Sequence, residues 1–270
     1  MAKPEGSIFP ALLRHHRHCR GLSQLDLAVA SDVSSRHVSF LETGRAQPSR
    51  EMVLRLGACL SVSLRDQNEM LRAAGFAPEF EEPSALGGLP PFVEDAITRM
   101  MKVHEPFPMT LLDRKFDVLR VNTGGARLLS RFVMDSGALG TIPNGYRLLF
   151  DPRLARPFIE DLAKIARSLI ARLHRETLLH PTNTALASLL RSLVEYPDVP
   201  ETWRQPDFTQ PNEPALVLRL RRDDVSLAFL TTLTSFNAPG NVTLEELTIE
   251  SYFPLDRATE LACAALANAS

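Results

Sequence analysis

The sequence predicts an all-α domain of five short helices followed by an α+β domain built on an antiparallel sheet. Three observations carry that prediction. From Ile8 to Ala74, apolar residues recur at three- and four-residue spacing with polar starters between the runs. A stretch rich in Pro, Gly and acid, Pro78 to Pro91, then interrupts the pattern. Beyond it, strand-like runs, long helical runs and further strand-like runs follow in that order, as in a sheet with one face covered by helices. The expected organisation is therefore a first domain over 1–77, a linker over 78–91 and a second domain over 92–270. A chain of 270 residues suits two compact cores at ordinary domain sizes.

In the first domain, helices are predicted near Phe9–Arg20, Ser23–Ser31, Ser34–Thr43, Ser49–Leu60 and Leu64–Ala74. Ser23, Ser34 and Ser49 stand where an N-cap is needed, and Gly75 closes the last helix. The second domain opens with a helix near Phe92–Val103. Two strand-like runs, Met109–Leu112 and Phe116–Val121, are joined by the polar turn Asp113-Arg114-Lys115 and form a hairpin. Asn122 precedes a helical run from Gly124 and is positioned to cap it. Long helical patterns follow at Arg153–Leu178 and Thr184–Glu195. Strands are predicted at Ala215–Arg221, Val225–Ser235 and Val242–Phe253, with Asp223-Asp224 and Glu245-Glu246 as turn and strand-edge charges.

Composition narrows the class. With 44% hydrophobic and 23% charged residues, the chain is of ordinary globular make-up. No apolar run reaches the ~18 residues of a spanning helix, so no membrane role is expected. The N-terminus lacks an apolar signal core, and Cys19, Cys59 and Cys263 are odd in number and far apart. Both features favour a reducing cytoplasm. The net charge of -2 conceals a split: residues 1–77 hold 10 Lys and Arg against 7 Asp and Glu, whereas the remainder holds 20 against 25. Four of the seven His also lie in the first segment. The asymmetry gives a weak preference for nucleic acid at the N-terminal end.

The segments Gly21 to Ala28 and Val33 to Arg45 make physical sense as two helices crossing at a tight turn. Ala28 is small where the helices touch. Leu25, Val33, Val38 and Leu41 are expected to bury the seam, and Gly44 lets the backbone leave in a left-handed conformation. These features alone would suit any small helical bundle. The string as a whole resembles the xenobiotic-response-element class of helix-turn-helix regulators, which includes the phage repressor and Cro domains, over about residues 8–76. The resemblance implies a lambda-repressor-like fold in which the helix at Ser34–Thr43 enters the major groove of an operator. Carried over by position, Ser35, Arg36 and Ser39 are the expected base readers, and Gln24, Ser34 and Arg45 the expected backbone contacts. His37 serves either role, and Phe40 touches a thymine methyl or packs. Arg17 and Glu42 match a family ion pair between the first and third helices that orients the recognition helix. Asp32 stands where the family usually has Gly, and Asp tolerates the left-handed turn.

Residues 92–270 contain no nucleophile elbow, no phosphate-cradling glycine loop and no His-Glu-Xaa-Xaa-His, so no catalytic residues are assigned and an enzyme is not expected. His15 and Cys19 share a helix face, but a metal site needs three or four converging ligands, and none is predicted. The stretches Leu111 to Asn122, Leu148 to Pro152, Ala166 to Leu173, His180-Pro181, Trp203, Val242-Thr243-Leu244 and Phe253-Pro254 together resemble the MmyB-like ligand-binding domain. Phe116 and Arg120 stand where that family commonly has aromatic residues, often Trp. The resemblance implies a PAS-like fold with an interior pocket for a fatty-acid-like or similar apolar ligand, and no other cofactor. Val118, Phe132, Leu148, Phe158, Leu162, Leu218, Phe229 and Tyr252 are the candidate pocket residues, and Arg153, Arg156 and Arg167 the candidates for an anionic head group. The function expected is a cytoplasmic, homodimeric DNA-binding regulator whose second domain senses a ligand. The alternative is a helix-turn-helix protein-interaction module with a non-sensory dimerisation domain.

Overall fold

The computed structural model describes residues 8–82, 89–140, 143–179, 183–206, 216–237 and 240–268. The chain divides into two compact units, one of Met1–Pro83 with Asn237–Glu245 and one of Ser84–Phe236 with Glu246–Ser270.

The first unit contains α1 (Phe9–Cys19), α2 (Gln24–Ala30), α3 (Ser35–Glu42), α4 (Arg50–Cys59) and α5 (Leu64–Ala73), which match the five predicted helices to within two residues. Each of α2 to α5 begins after a serine whose Oγ accepts the amide three residues on: Asp26 at Ser23, His37 at Ser34, Met52 at Ser49 and Asp66 at Ser63. The last of these caps was not foreseen. Asp32 and Gly44 adopt positive φ, 53° and 69°, as the turn chemistry requires. Phe9, Leu13, Leu27, Val38, Leu41, Val53, Leu56 and Met70 form the sealed core. Leu25 was expected in the α2–α3 seam but is 61% exposed, because the buried stripe of α2 runs through Leu27 and Ala28 instead.

Part of the expected linker is tied down in this unit. Buried Asn68 accepts from the amides of Glu79 and Phe80 at 3.0 and 3.1 Å and donates to the Phe80 carbonyl and to Glu82. The first unit also takes in a remote piece of chain. The predicted strand Val242–Phe253 is instead a helical turn, α11 (Val242–Glu245), followed by β5 (Thr248–Pro254). Asn241 starts that turn by accepting from the Leu244 amide. The Val242 amide donates to the Glu81 carbonyl, and the Glu245 carboxylate accepts from the Leu64 amide at the start of α5. Glu245 is therefore a helix-end acceptor, and Glu246 pairs with Arg114 in the second unit.

The second unit is α+β. After α6 (Pro91–Val103) come β1 (Met109–Leu112), β2 (Val118–Val121), α7 (Thr123–Phe132), α8 (Gly145–Phe150), α9 (Leu162–Leu179) and α10 (Thr184–Val194). Strands β3 (Val217–Arg222), β4 (Val225–Ser235) and β5 follow, and α12 (Arg257–Asn268) ends the described chain. The strands form one antiparallel sheet in the order β2-β1-β5-β4-β3. The hairpin β1–β2 is present, but β2 starts at Val118 rather than Phe116. The Asp113 carboxylate accepts from the Lys115 and Asp117 amides, and Phe116 turns at φ 63°. Asn122 caps α7 as expected, its Oδ1 accepting from the Gly125 amide. The expected helix from Arg153 begins only at Leu162, since the chain first makes a 3-10 turn over Arg156–Phe158, containing Pro157, and a left-handed residue at Asp161. Neither α8 nor α12 was expected. The start of the expected strand, Ala215, and the motif His180-Pro181 lie outside the described residues. Among the described residues no helix is long and apolar enough to cross a membrane.

Candidate nucleic-acid interface and an apolar cavity

In the first unit, Glu42 at the end of α3 is the hub that fixes α3 against α1 and α2. Arg17 of α1 donates from Nε to Glu42 Oε1 at 2.7 Å and from Nη2 to Oε2 at 2.9 Å. Gln24 of α2 donates to Oε2 at 2.7 Å, and Arg14 donates to the Glu42 carbonyl at 2.9 Å. The Arg17 and Glu42 side chains are only 8% and 1% exposed, so this is a buried, bidentate pair. Desolvation, the largest single influence, acts to raise the Glu42 carboxyl. The hydrogen bonds from Arg17 and Gln24 and the two arginine charges together hold it below its ordinary range.

With its inner face fixed by Val38, Leu41 and Glu42, α3 turns Ser35 and Arg36 outward, with Arg45 exposed just beyond its end. Ser34, His37, Ser39 and Phe40 complete this side, and the Ser34 hydroxyl retains its own proton for donation while capping the helix. The Phe40 ring lies under two guanidinium groups, Arg36 at 5.1 Å and Arg45 at 6.0 Å from its centroid. Stacking of this kind limits the rotamers of two long cationic side chains. Gln24, though bound to Glu42, keeps a second amide proton.

The second unit holds a cavity of about 100 Å3. Its floor is the sheet, through Thr110, Leu112, Val118, Leu218, Leu220, Leu233, Glu250 and Tyr252, and its roof is Leu128, Phe132, Tyr146, Leu148, Leu169 and Arg172. The wall is apolar apart from Thr110 and one cluster of larger polar side chains. Tyr252 donates to Glu250 Oε2 at 3.0 Å, Arg172 lies over the Phe116 ring at 5.8 Å, and the buried Tyr146 hydroxyl has no hydrogen-bond partner among the described residues. Burial raises the Glu250 carboxyl above its ordinary range, against the opposing pull of Tyr252 and Arg172.

Of the pocket residues read from sequence, Val118, Phe132, Leu148, Leu218 and Tyr252 are brought to this one cavity. Phe229, Phe158, Leu162 and Arg167 are not in its wall. Phe229 is on the cavity face of β4 but is sealed beneath the Tyr252 ring, with centroids 5.8 Å apart. Phe158 stacks behind Phe132 under Arg222. Leu162 packs at the start of α9, and Arg167 is on the exposed face of that helix. The head-group candidates Arg153 and Arg156 are committed to Asp151 and Asp198 at 2.7 and 2.6 Å. The polar residues that do reach the cavity, Tyr146, Arg172 and Glu250, were missed. Glu250 is two residues from Tyr252 on one strand, so the period of two that selects one selects the other.

His15 Nε2 stands 3.6 Å from Cys19 Sγ, but among the described residues no group of three His, Cys, Asp or Glu side chains converges on a metal position. A family model described as MmyB-like transcription regulator ligand binding domain matches residues 93–266, and one described as helix-turn-helix domain matches residues 9–78. Among curated proteins none matches the chain. A solved structure described as an RNA-binding light-oxygen-voltage receptor is 14% identical with a TM-score of 0.27, over 98% of this chain and 63% of its own length. The chain thus spans less than two thirds of that protein.

Proposed function

Because the chain belongs to the MmyB-like transcription regulators and carries a helix-turn-helix, we propose that its α+β unit senses a fatty-acid-like ligand and that occupancy changes operator affinity. That the protein is a DNA-binding transcription regulator with a ligand-binding domain follows from the two family matches. The observation that carries the finer reading is the apolar cavity. At about 100 Å3 it is smaller than the ~150 Å3 cavity that holds a benzene ring. A long acyl chain needs more room than this, and in our reading it presses on α8 and α9, which line the cavity opposite the sheet. A ligand that moves its own walls binds two arrangements unequally, and a ~10-fold bias requires about 1.4 kcal/mol of coupling. Each methylene buried supplies about 0.8 kcal/mol toward that work.

On the DNA side, Ser35, Arg36, His37 and Ser39 read base edges, with Phe40 as the platform that holds Arg36 and Arg45. Gln24, Ser34 and Arg45 contact phosphates. The regulator acts in the cytoplasm as a homodimer, through its second unit, so that two recognition helices meet half-sites ~34 Å apart. Sedimentation that finds only monomer at micromolar concentration overturns the dimer. Arg36→Ala is expected to cost about 1–3 kcal/mol on the operator and to change base preference, whereas Gln24→Ala weakens all sequences alike. Unchanged affinity in both variants defeats the DNA assignment. For the sensor, the purified protein is extracted with organic solvent, the extract is analysed by mass spectrometry, and delipidated protein is titrated with decanoate and 1-decanol during an operator-binding assay. No shift in operator affinity with either ends the sensory reading.

A further inference from the structure

The geometry points to a ligand whose head group enters the cavity uncharged, with the Tyr146 hydroxyl donating to its oxygen. The inference rests on the sensory reading above and concerns the polar end of the same site. Tyr146 is 4% exposed, lines the cavity and is the one buried side-chain oxygen or nitrogen without a partner among the described residues. A buried hydroxyl left so is costly unless something completes it. The neighbouring Tyr252 hydroxyl gives its one proton to Glu250 and so has none to donate to a ligand oxygen.

The charges around this point argue against an anion. Arg172 is the cation in the wall, and the carboxylates of Glu250 and Glu176 both act on the Tyr146 hydroxyl along with it. An ionised fatty acid would place its charge beside the Glu250 carboxyl in a desolvated site whose wall offers one cation, Arg172. A neutral oxygen, that of an alcohol or of a protonated acid, accepts from Tyr146 and has a proton of its own to give to Glu250. The apolar remainder then meets Leu112, Leu148, Leu218 and Phe132.

The test uses the full chain at pH 7.5 with two probes of equal chain length, 1-decanol and decanoate, and measures binding by equilibrium dialysis. The expected result is tighter binding of decanol. Tyr146→Phe should weaken decanol about five-fold, the effect of one lost hydrogen bond, and leave decanoate unchanged. Glu250→Gln should strengthen decanoate. Tyr146→Phe should also melt no lower than the parent without ligand, since it removes an unpaired hydroxyl, so a fold defect is recognisable. Repeating the parent titrations at pH 5 separates the two neutral sources, because protonated decanoic acid should then approach decanol in affinity. Decanoate binding as tightly as decanol at pH 7.5, or Tyr146→Phe leaving decanol unchanged, overturns the inference while the sensory reading stands. Binding of neither probe overturns both.

Discussion

Replacing Glu42 by alanine removes three acceptor contacts at once and leaves the Arg17 guanidinium, 8% exposed, with two neutral partners, the Leu22 carbonyl and His18 Nε2, and no counter-charge. Loss of one partner from a buried ion pair costs about 3–5 kcal/mol, because the remaining charge is desolvated without compensation. That is a large part of the ~5–15 kcal/mol that holds a domain folded. The double variant Arg17→Met/Glu42→Leu should recover most of the loss, since two apolar side chains leave no stranded charge. The sign with pH is fixed as well. Glu42 is depressed from its ordinary 4.5, so its contribution is complete above that pH and disappears as pH falls through the lower folded value. The stability gap between parent and Glu42→Ala should therefore narrow in acid. The measurement is hydrogen exchange of the α1–α3 amides in urea, because Trp203 and the tyrosines Tyr146, Tyr196 and Tyr252 all lie in the other unit and do not report on this one. A single variant within about 1 kcal/mol of the parent, or a double variant worse than both singles, refutes the hub.

Three further outcomes test the packing. At Gly124 an added Cβ would stand 2.4 Å from the Pro106 carbonyl oxygen, so Gly124→Ala should destabilise the second unit by about 1–3 kcal/mol, read from Trp203 fluorescence; an unchanged midpoint contradicts the close approach. Phe229→Ala should cost about 3–5 kcal/mol and more than Leu148→Ala, which trims a half-buried cavity wall; the opposite ranking in urea denaturation would show that Phe229 is not sealed core. Asn68→Ala strands the amides of Glu79 and Phe80 and should cost about 1–3 kcal/mol, with faster proteolysis within 78–82 as the direct sign; unaltered cleavage argues against the tie.

The helical half was legible because its signals are local. A serine that accepts the amide three residues on, and an apolar stripe of period 3.6, both act within one turn of helix, as Ser23, Ser34 and Ser49 illustrate. The α+β half was less legible where local and non-local preferences diverge. Val242 to Ile249 alternates apolar and polar residues as a strand would, broken only at Glu245-Glu246, yet the Asn241 cap starts a helical turn there and pairing with β1 and β4 begins only at Thr248. The small-residue run of α12 lacks a strong amphipathic signature, and its start depends on Asp256 accepting from Thr259. For the cavity, size and apolarity found Val118, Phe132 and Leu218 but could not separate wall from core, since Phe229 differs from them only in what covers it. Arg167 and Arg172 are five residues apart on α9 and thus on different faces, a distinction that needs the helix's rotational setting and not merely its existence.

Residues 237–245 have a consequence for how such a protein changes over generations. The helix-turn-helix unit is not a contiguous stretch of gene: the carboxylate that receives the first amide of α5 is encoded about 180 codons downstream, between β4 and β5. A single recombination breakpoint near codon 84 would give the N-terminal helices a new companion but leave Leu64 without Glu245 and Glu81 without Val242. New pairings of this helix-turn-helix with other second domains are therefore expected to lose stability unless the incoming sequence supplies an equivalent insert between the same two strands. A chimera that carries 1–83 alone should be less stable than one that also transplants 237–245, and directed shuffling should recover the two segments together.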